Sequence, residues 1–379
     1  MRIAVDVSDI SPRRGKSRGI YSYARLLVEA MCEALPDGDT LVVLCNGDAR
    51  ADFERLAGSR CEVALVHHGF PSVVRRVLWC FGAGAWAVRR QRADVFFSPK
   101  GYAPLLLRGL AGVRLSVVTI HDLIPLWYAR NHPSAFGRLE RLFVNGWLVH
   151  SARHADRVVA ISQATADALA RELGRTEGVS VVRNAVPVLP APTEAPERRH
   201  ILAMTSSLPH KNLSGILAAY RAYRSRVERP LPLVVCGAAA DLGEGVTGLV
   251  DRTAADLANL YATARAFLFL PFIEGFGFPV AEALSFGTPV VCSDIPALRE
   301  ASRGDARFVA PDDADACADA LRAALVDPLP KLDGGRLPIS VPDGGWARCA
   351  RQTMAVWQTA ARDGASAAGD ETGAPGQKA

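Results

Sequence analysis

A chain of 379 residues is more than one compact core usually holds, so two domains of roughly 150 to 200 residues each are expected. Its 49% hydrophobic and 22% charged residues describe an ordinary folded protein, and neither a collagen period nor a low-complexity tract precedes the tail. The formal charge of +5 is unevenly placed: residues 1–190 carry 25 Lys and Arg against 17 Asp and Glu, the remainder 19 against 22. A basic first half can attract nucleic acid, anionic lipid or a phosphorylated substrate. With neither a stacking motif nor a zinc spacing present, nucleic acid is set aside.

The first half alternates strand and helix. Strands are expected at 2–7, 40–45, 61–66, 94–97, 114–120, 157–161 and 178–182, with helices near 20–35, 72–90, 136–153 and 162–173. Continuously apolar strands such as LSVVTI suit a parallel sheet covered on both faces, hence an open doubly wound α/β fold. MRIAVDVSD begins as a strand and not as a leader peptide, and no apolar run reaches about 20 residues, the length a spanning helix needs. The eight cysteines stand singly with no CxxC pair, which points to a reducing compartment: the cytoplasm, or the inner face of the cell membrane.

Residues 187–199, PVLPAPTEAPERR, hold four prolines and no periodicity, and mark the linker between a first domain at 1–186 and a second at 200–345. The alternation then resumes: strand 200–205, helix 211–225, strand 231–236, helix 252–263, strand 266–270, helix 279–286 and strand 289–292. A terminal helix at 346–362 carries Trp346 and Trp357, expected as core anchors, and 363–379 reads as a disordered tail. Two such domains facing across a cleft would bind ligands at the carboxyl ends of their strands.

The most informative stretch is AFLFLPFIEGFGFPVAEALSFGTPVVCSD, 266–294. Its strand runs into a Gly- and Phe-rich turn before Pro279, a residue suited to the first helical position. The amides of Gly275, Phe276, Gly277 and Phe278 at a helix start offer a place for phosphate, with the glycines allowing close approach. Glu274 and Glu282 are poor phosphate partners but good acceptors for hydroxyls. A ligand with phosphate in its middle and hydroxyls at both ends fits, as a nucleotide-sugar does. Alone, Glu282 reads more readily as a solvated helix acid and Gly277 as a turn glycine; the combination argues for the site.

EGFGFPVAEALSFGTPVVCSD resembles the E-x7-E signature of the retaining GT-B glycosyltransferases of the family 4 type, also called group 1. RGIYSYARLL, HDLIPLW, RVVAISQATADAL, VVRNAV and SSLPHKNLSGILAAY agree in order over about 1–325. The resemblance implies two Rossmann-like domains, a nucleotide-sugar donor and no bound divalent metal or other cofactor. It places Glu274 near donor-sugar hydroxyls, Glu282 on the ribose, residues 275–278 around sugar and phosphate, Lys211 on phosphate and His121 beside the reacting sugar. An ammonium at Lys211 would stabilise charge on a departing diphosphate.

Departures from the pattern are specific. Thr205 stands where many members have an arginine, leaving His210 or a first-domain arginine to compensate. In the loop SDISPRRGKSRGI, with Arg13, Arg14, Lys16 and Arg18, Gly19 matches but Tyr21 replaces a second glycine. GAAADLGEGVTGLVDRT is short, with Val250, Asp251 and Arg252 at the base-reading position, so the base does not transfer. GDP-mannose is the donor expected on general resemblance. Residues 69–92 combine Trp79, Phe81 and Trp86 with five arginines, among them Arg75 and Arg76. They read either as a surface for an anionic membrane presenting a lipid-linked or oligosaccharide acceptor, or as a helix packed on the sheet with snorkelling arginines. The expected function is thus retaining transfer of a sugar, as a mannosyltransferase, to a glycolipid or polysaccharide precursor. The alternatives are a non-catalytic sugar-nucleotide-binding subunit, or a transferase using a UDP-sugar and a small soluble acceptor.

Overall fold

A computed structural model describes residues 1–12, 18–69, 71–193, 197–239, 241–327 and 345–370, without the side chains of Arg18 and of 360–370. Arg13, Arg14 and Lys16 of the basic loop lie outside the described residues, as do 371–379 of the expected tail. The chain divides into two compact units, Met1–Asn184 with Gly344–Ala379, and Ala185–Asp343.

Among the described residues the first unit holds β1 (Arg2–Val7), β2 (Thr40–Asn46), β3 (Cys61–His67), β4 (Val95–Ser98), β5 (Leu115–Ile120), β6 (Arg157–Ala160) and β7 (Val179–Val181). They pair parallel throughout in the order β3-β2-β1-β4-β5-β6-β7. The central strands are apolar and buried because helices cover both faces. The strand order reverses beside β1, which leaves the carboxyl ends of β1 and β4 as a natural crevice.

The second unit holds β8 (His200–Met204), β9 (Leu233–Cys236), β10 (Val246–Leu249), β11 (Ala264–Phe269), β12 (Val290–Ser293) and β13 (Arg307–Val309), in the parallel order β10-β9-β8-β11-β12-β13. Its reversal falls between β8 and β11. Both units are thus Rossmann-like parallel sheets.

The sequence did not announce β10, β13 or the helices Pro296–Ser302 and Ala314–Val326, which complete the second unit. The expected helix over 72–90 is broken: helix Val73–Leu78 passes through a π turn, Trp79–Ala83, with a kink at Gly82, into helix Gly84–Arg90. The terminal helix runs Gly345–Asp370, beyond the expected end at 362 and into the stretch read as disordered. It packs against helix Arg18–Ala34 of the first unit, with Trp357 buried beside the Phe97 ring at 5.5 Å. Cys349 Sγ and an Arg348 guanidinium nitrogen both donate to the Arg183 carbonyl, at 3.1 and 2.9 Å.

Candidate active site

Charge collects at the switch between β8 and β11. After β8 the chain turns through a single 3-10 turn, Pro209–Lys211, and Asn212 adopts a left-handed φ of 54°. The Asn212 side chain accepts from the Gly215 amide at 3.0 Å, capping helix Leu213–Arg224. Its amide nitrogen donates to the carbonyls of Leu270 at 3.0 Å and Pro311 at 2.8 Å, tying this loop to the chain after β11 and after β13. The Phe272 amide adds a bond to the His210 carbonyl at 2.9 Å. The sequence reading started the helix at Lys211. Asn212 displaces that start by two residues, and Lys211 stays on the loop, where it can turn toward the crevice.

Lys211 Nζ pairs there with the Glu274 carboxylate. The lysine and glutamate side chains keep 23% and 12% of their exposure, so the pair faces outward and is not sealed in the core. Thr205, at the mouth of β8, turns its hydroxyl into its own loop, toward the Ser206 and Lys211 carbonyls at 3.4 and 3.5 Å. His210 does not supply the charge that Thr205 lacks: burial, and then the neighbouring Lys211, push its pKa down to about 3, so the imidazole is neutral.

The Gly-Phe turn meets helix Phe278–Ser285 at Gly277, whose φ is 99° and whose carbonyl accepts from the Val280 amide at 3.0 Å. That left-handed φ favours glycine, and a Cβ there would also stand 2.5 Å from Leu298 Cδ2 on helix Pro296–Ser302. Phe276 is buried, and its ring lies 5.0 Å from that of Phe278.

Glu282 sits on the second turn of that helix and accepts from the Tyr261 hydroxyl at 2.9 Å through Oε2. Desolvation raises the Glu282 pKa, and the tyrosine bond offsets only part of the rise. Tyr261, held on helix Ala254–Thr263 by the Thr253 and Asp256 capping box, also reaches Met204 Sδ at 3.4 Å. A tyrosine among Ala258 and Ala262 reads as ordinary core, so the sequence carried no signal for this partner.

Val250, Asp251 and Arg252 follow β10 at the sheet edge. Val250 is exposed, Asp251 has a left-handed φ of 52°, and Arg252 Nε bonds back to the Val250 carbonyl at 3.0 Å. Between β9 and β10 the short connection forms a turn at Gly237 and a single bridge from Asp241 to Thr247.

In the first unit His121 follows β5. Its Nε2 lies 2.7 Å from the Pro99 carbonyl, an acceptor only, so Nε2 carries the proton and Nδ1 the lone pair. Burial lowers its pKa to about 4, and the Tyr23 ring packs edge-on at 4.7 Å. The neighbouring Asp122 caps the next helix through the Ile124 amide at 2.9 Å. Gly19 is exposed on the first turn of helix Arg18–Ala34, whereas Tyr21 is buried and bonds Asp52, pointing into the unit.

The sequence missed a buried ionic cluster at the other switch. Asp6 takes bonds from Trp79 Nε1 at 2.9 Å and the Ser8 amide at 3.0 Å. Lys100, directly after β4, pairs with Asp6 at 3.1 Å and Asp9 at 2.5 Å. A lone lysine in FFSPKG just past an apolar strand was the available signal. Trp79 is 6% exposed and Arg76 reaches the Asp9 carbonyl at 3.3 Å, so these two belong to this cluster and not to an outer surface.

What is left outside is apolar and basic. Val73, Val74, Leu78, Phe81 and Trp86 are 74, 67, 57, 54 and 50% exposed, with Arg75, Arg89 and Arg90 exposed among them. Arg90 lies over the Trp86 ring at 3.9 Å. Phe81 meets Trp147 at 5.0 Å, which joins this face to helix Arg138–His154, where Leu139 and Leu142 are exposed. Among the described residues no helix is long and apolar enough to cross a membrane.

Comparison with known proteins accounts for nearly the whole chain. Residues 18–188 match the model for Glycosyltransferase Family 4 and residues 188–333 that for Glycosyl transferases group 1. The chain is 26% identical over 317 residues to the O-antigen chain mannosyltransferase RfbU of Salmonella typhimurium, covering 79% of this chain and 86% of that protein. It is 27% identical over 302 residues to O-antigen chain mannosyltransferase B of Escherichia coli, covering 72% and 76%. Among solved structures, sucrose-phosphate synthase from Thermosynechococcus elongatus superposes with a TM-score of 0.65 at 18% identity, over 99% of this chain and 100% of that one. The chain belongs to the GT-B glycosyltransferases, with a family 4 first domain joined to a group 1 second domain.

Proposed function

We propose that this glycosyltransferase moves mannose from GDP-mannose, with retention, to a glycolipid or polysaccharide-precursor acceptor. The observation that carries the donor reading is the Lys211–Glu274 pair at the β8–β11 switch. An ammonium has three donors; one is committed to Glu274, and the others can serve diphosphate oxygens as negative charge develops on the leaving group. Glu274 keeps a second oxygen for a donor-sugar hydroxyl, and the lysine beside it reduces its repulsion of phosphate. Glu282, with one oxygen held by Tyr261, has the other for a ribose hydroxyl. The turn 275–278 contributes amides at a helix start. Val250, Asp251 and Arg252, after the edge strand, are the residues that would meet the base.

On the first unit, neutral His121 can accept a hydroxyl hydrogen bond at Nδ1 but is too weak a base to hold a proton near neutrality. Positioning a sugar hydroxyl is the role this supports. The departing diphosphate can itself take the acceptor proton on the same face. The mannosyl donor is supported by the two O-antigen mannosyltransferases the chain resembles. The exposed apolar and arginine face of the first unit suits an anionic bilayer, where a lipid-linked acceptor would be presented.

The test is nucleoside diphosphate release from a panel of GDP-, UDP- and ADP-sugars with membrane lipid extracts as acceptor source. Selective GDP release with GDP-mannose is expected. Preference for a UDP-sugar would replace the donor, and no release with any donor would support a binding subunit instead.

A further inference from the structure

Three rings that are far apart in sequence meet in the first unit: His121 after β5, Tyr23 on helix Arg18–Ala34, and Trp346 on the first turn of the terminal helix Gly345–Asp370. Among the described residues the His121 side chain makes one hydrogen bond, from Nε2 to the Pro99 carbonyl at 2.7 Å. One bond fixes one atom of a ring and leaves its plane free to swing. What holds the plane is Tyr23, whose ring lies at 87° to the imidazole with centroids 4.7 Å apart, the edge-to-face arrangement that aromatic rings prefer.

Tyr23 has no proton to trade with the histidine. Its hydroxyl lies 3.4 Å from Thr119 Oγ1, two residues back along β5, and burial pushes its pKa up, so the phenol stays neutral. Its contribution to His121 is a surface, and that surface is only as fixed as its backing. Trp346 supplies the backing, with its ring centroid 5.7 Å from that of Tyr23 at 67°. The indole N–H of Trp346 is buried and has no hydrogen-bond partner among the described residues, so the ring and not the nitrogen is what the contact uses. The turn that carries this ring is pinned, because Arg348 and Cys349 both donate to the Arg183 carbonyl. Helix Arg18–Ala34 packs along the terminal helix, which also touches β5 and β6.

We propose that Trp346, acting through Tyr23, sets the plane of the His121 imidazole and is a positioning residue for sugar transfer. The transfer role rests on the reading of His121 given above; the control of the ring does not. Since Trp346 acts through His121, its loss should fall on kcat, while KM for the donor, whose candidate binding residues belong to the second unit, stays near the native value.

The test combines the kinetics of Trp346→Ala, Trp346→Phe, His121→Ala and the double variant Trp346→Ala with His121→Ala. To these it adds NMR of the imidazole nitrogens in the full chain, with the His121 signals identified by their loss in His121→Ala. Trp346→Ala should lower kcat by about tenfold or more, the scale of a small misplacement at a reacting centre. Trp346→Phe, which keeps a ring against Tyr23 and removes the unpaired N–H, should recover most of it. Once His121 is gone, Trp346→Ala should cost little more, because the two act as one unit. In Trp346→Ala the His121 nitrogen signals should shift, and the titration of the ring should move up from about 4 as water reaches it. Where Trp346→Ala does not fold, Trp346→Leu carries the same comparison. Native kcat in Trp346→Ala, or an equal loss with and without His121, would overturn the positioning role. Unchanged His121 signals would overturn the ring contact on which it depends. Full transfer by His121→Ala would overturn the transfer role at His121 itself, and the imidazole signals then decide the control of the ring alone.

Discussion

Lys211 and Glu274 approach from opposite sides of a strand-order reversal, one after β8 and the other after β11, and form an ion pair. Asn212 ties the two charged loops together by donating to the Leu270 and Pro311 carbonyls. Such preorganisation lets the lysine act on developing charge without reorganisation at the moment of reaction.

Lys211→Ala is therefore expected to lower kcat by roughly 10² or more, the size of effect seen on losing one preorganised donor. Glu274→Gln should leave folding intact and free the ammonium, tightening GDP binding while lowering transfer. Single-turnover rates and GDP titration separate these. A Lys211→Ala variant that loses only melting temperature would reduce the pair to a structural contact.

Glu282 yields a prediction with two opposite signs. Its raised pKa means that the folded protein holds the neutral acid better than the carboxylate, so its contribution to stability is full below the ordinary carboxylate range and is lost as pH rises through the raised value. At neutral pH the ionised group is a cost to folding. Glu282→Gln, which can still accept from Tyr261, should raise stability at pH 7, with the gain vanishing as pH falls into the ordinary carboxylate range. The same change should weaken GDP binding, because an amide is a poorer acceptor for a ribose hydroxyl. Urea titrations at pH 7 and in that lower range, and GDP affinity, test both halves.

His121 moves the other way. Its pKa is depressed to about 4, so its contribution is full above the ordinary value of 6.5 and is lost as pH falls through about 4, because only the unfolded chain takes up the proton readily. His210, at about 3, acts in the same direction. Unfolding midpoints should fall between pH 6.5 and 4, and His121→Asn should flatten part of that slope. Transfer by the native protein should show no limb from His121 between pH 5 and 8. A kinetic pKa near 6.5 that disappears in the variant would instead mean that His121 exchanges protons during turnover.

The sequence showed the sheets well and the contacts around them poorly. VVLC and AFLFL are apolar at every position and LSVVTI at four of six, because parallel strands are covered on both faces, a pattern visible without neighbours. Three-residue β13 is too short to show any period, and the π turn at Trp79–Ala83 is hidden inside what looks like one amphipathic run. The acids at 274 and 282 were legible through spacing along one turn and helix. Their partners were not: Tyr261 comes from another helix, and Leu298, twenty-one positions on, packs against the glycine at 277. Trp79 reads as a surface aromatic until its indole is seen to bond Asp6, seventy-three residues away.

The separation of Trp79 and Arg76 from the rest of the 69–92 segment also sharpens the membrane proposal. The side chains that can touch a bilayer are Val73, Val74, Leu78, Phe81 and Trp86, extended by Leu139 and Leu142, with Arg75, Arg89 and Arg90 as the charges. Each basic residue near an anionic surface contributes about 1 kcal/mol, so replacing these three with Gln should weaken binding to phosphatidylglycerol vesicles by roughly a hundredfold at low salt. Val74→Asp with Trp86→Asp should weaken binding even at high salt, where the electrostatic share is screened. Co-sedimentation with neutral phosphatidylcholine vesicles is expected to be slight for the native chain. Arg76→Gln, by contrast, removes a residue engaged with the Asp9 carbonyl and should change vesicle binding little. If the triple arginine variant sediments like the native protein, the exposed face serves a protein partner or a second copy of the chain, and lipid is excluded as its occupant.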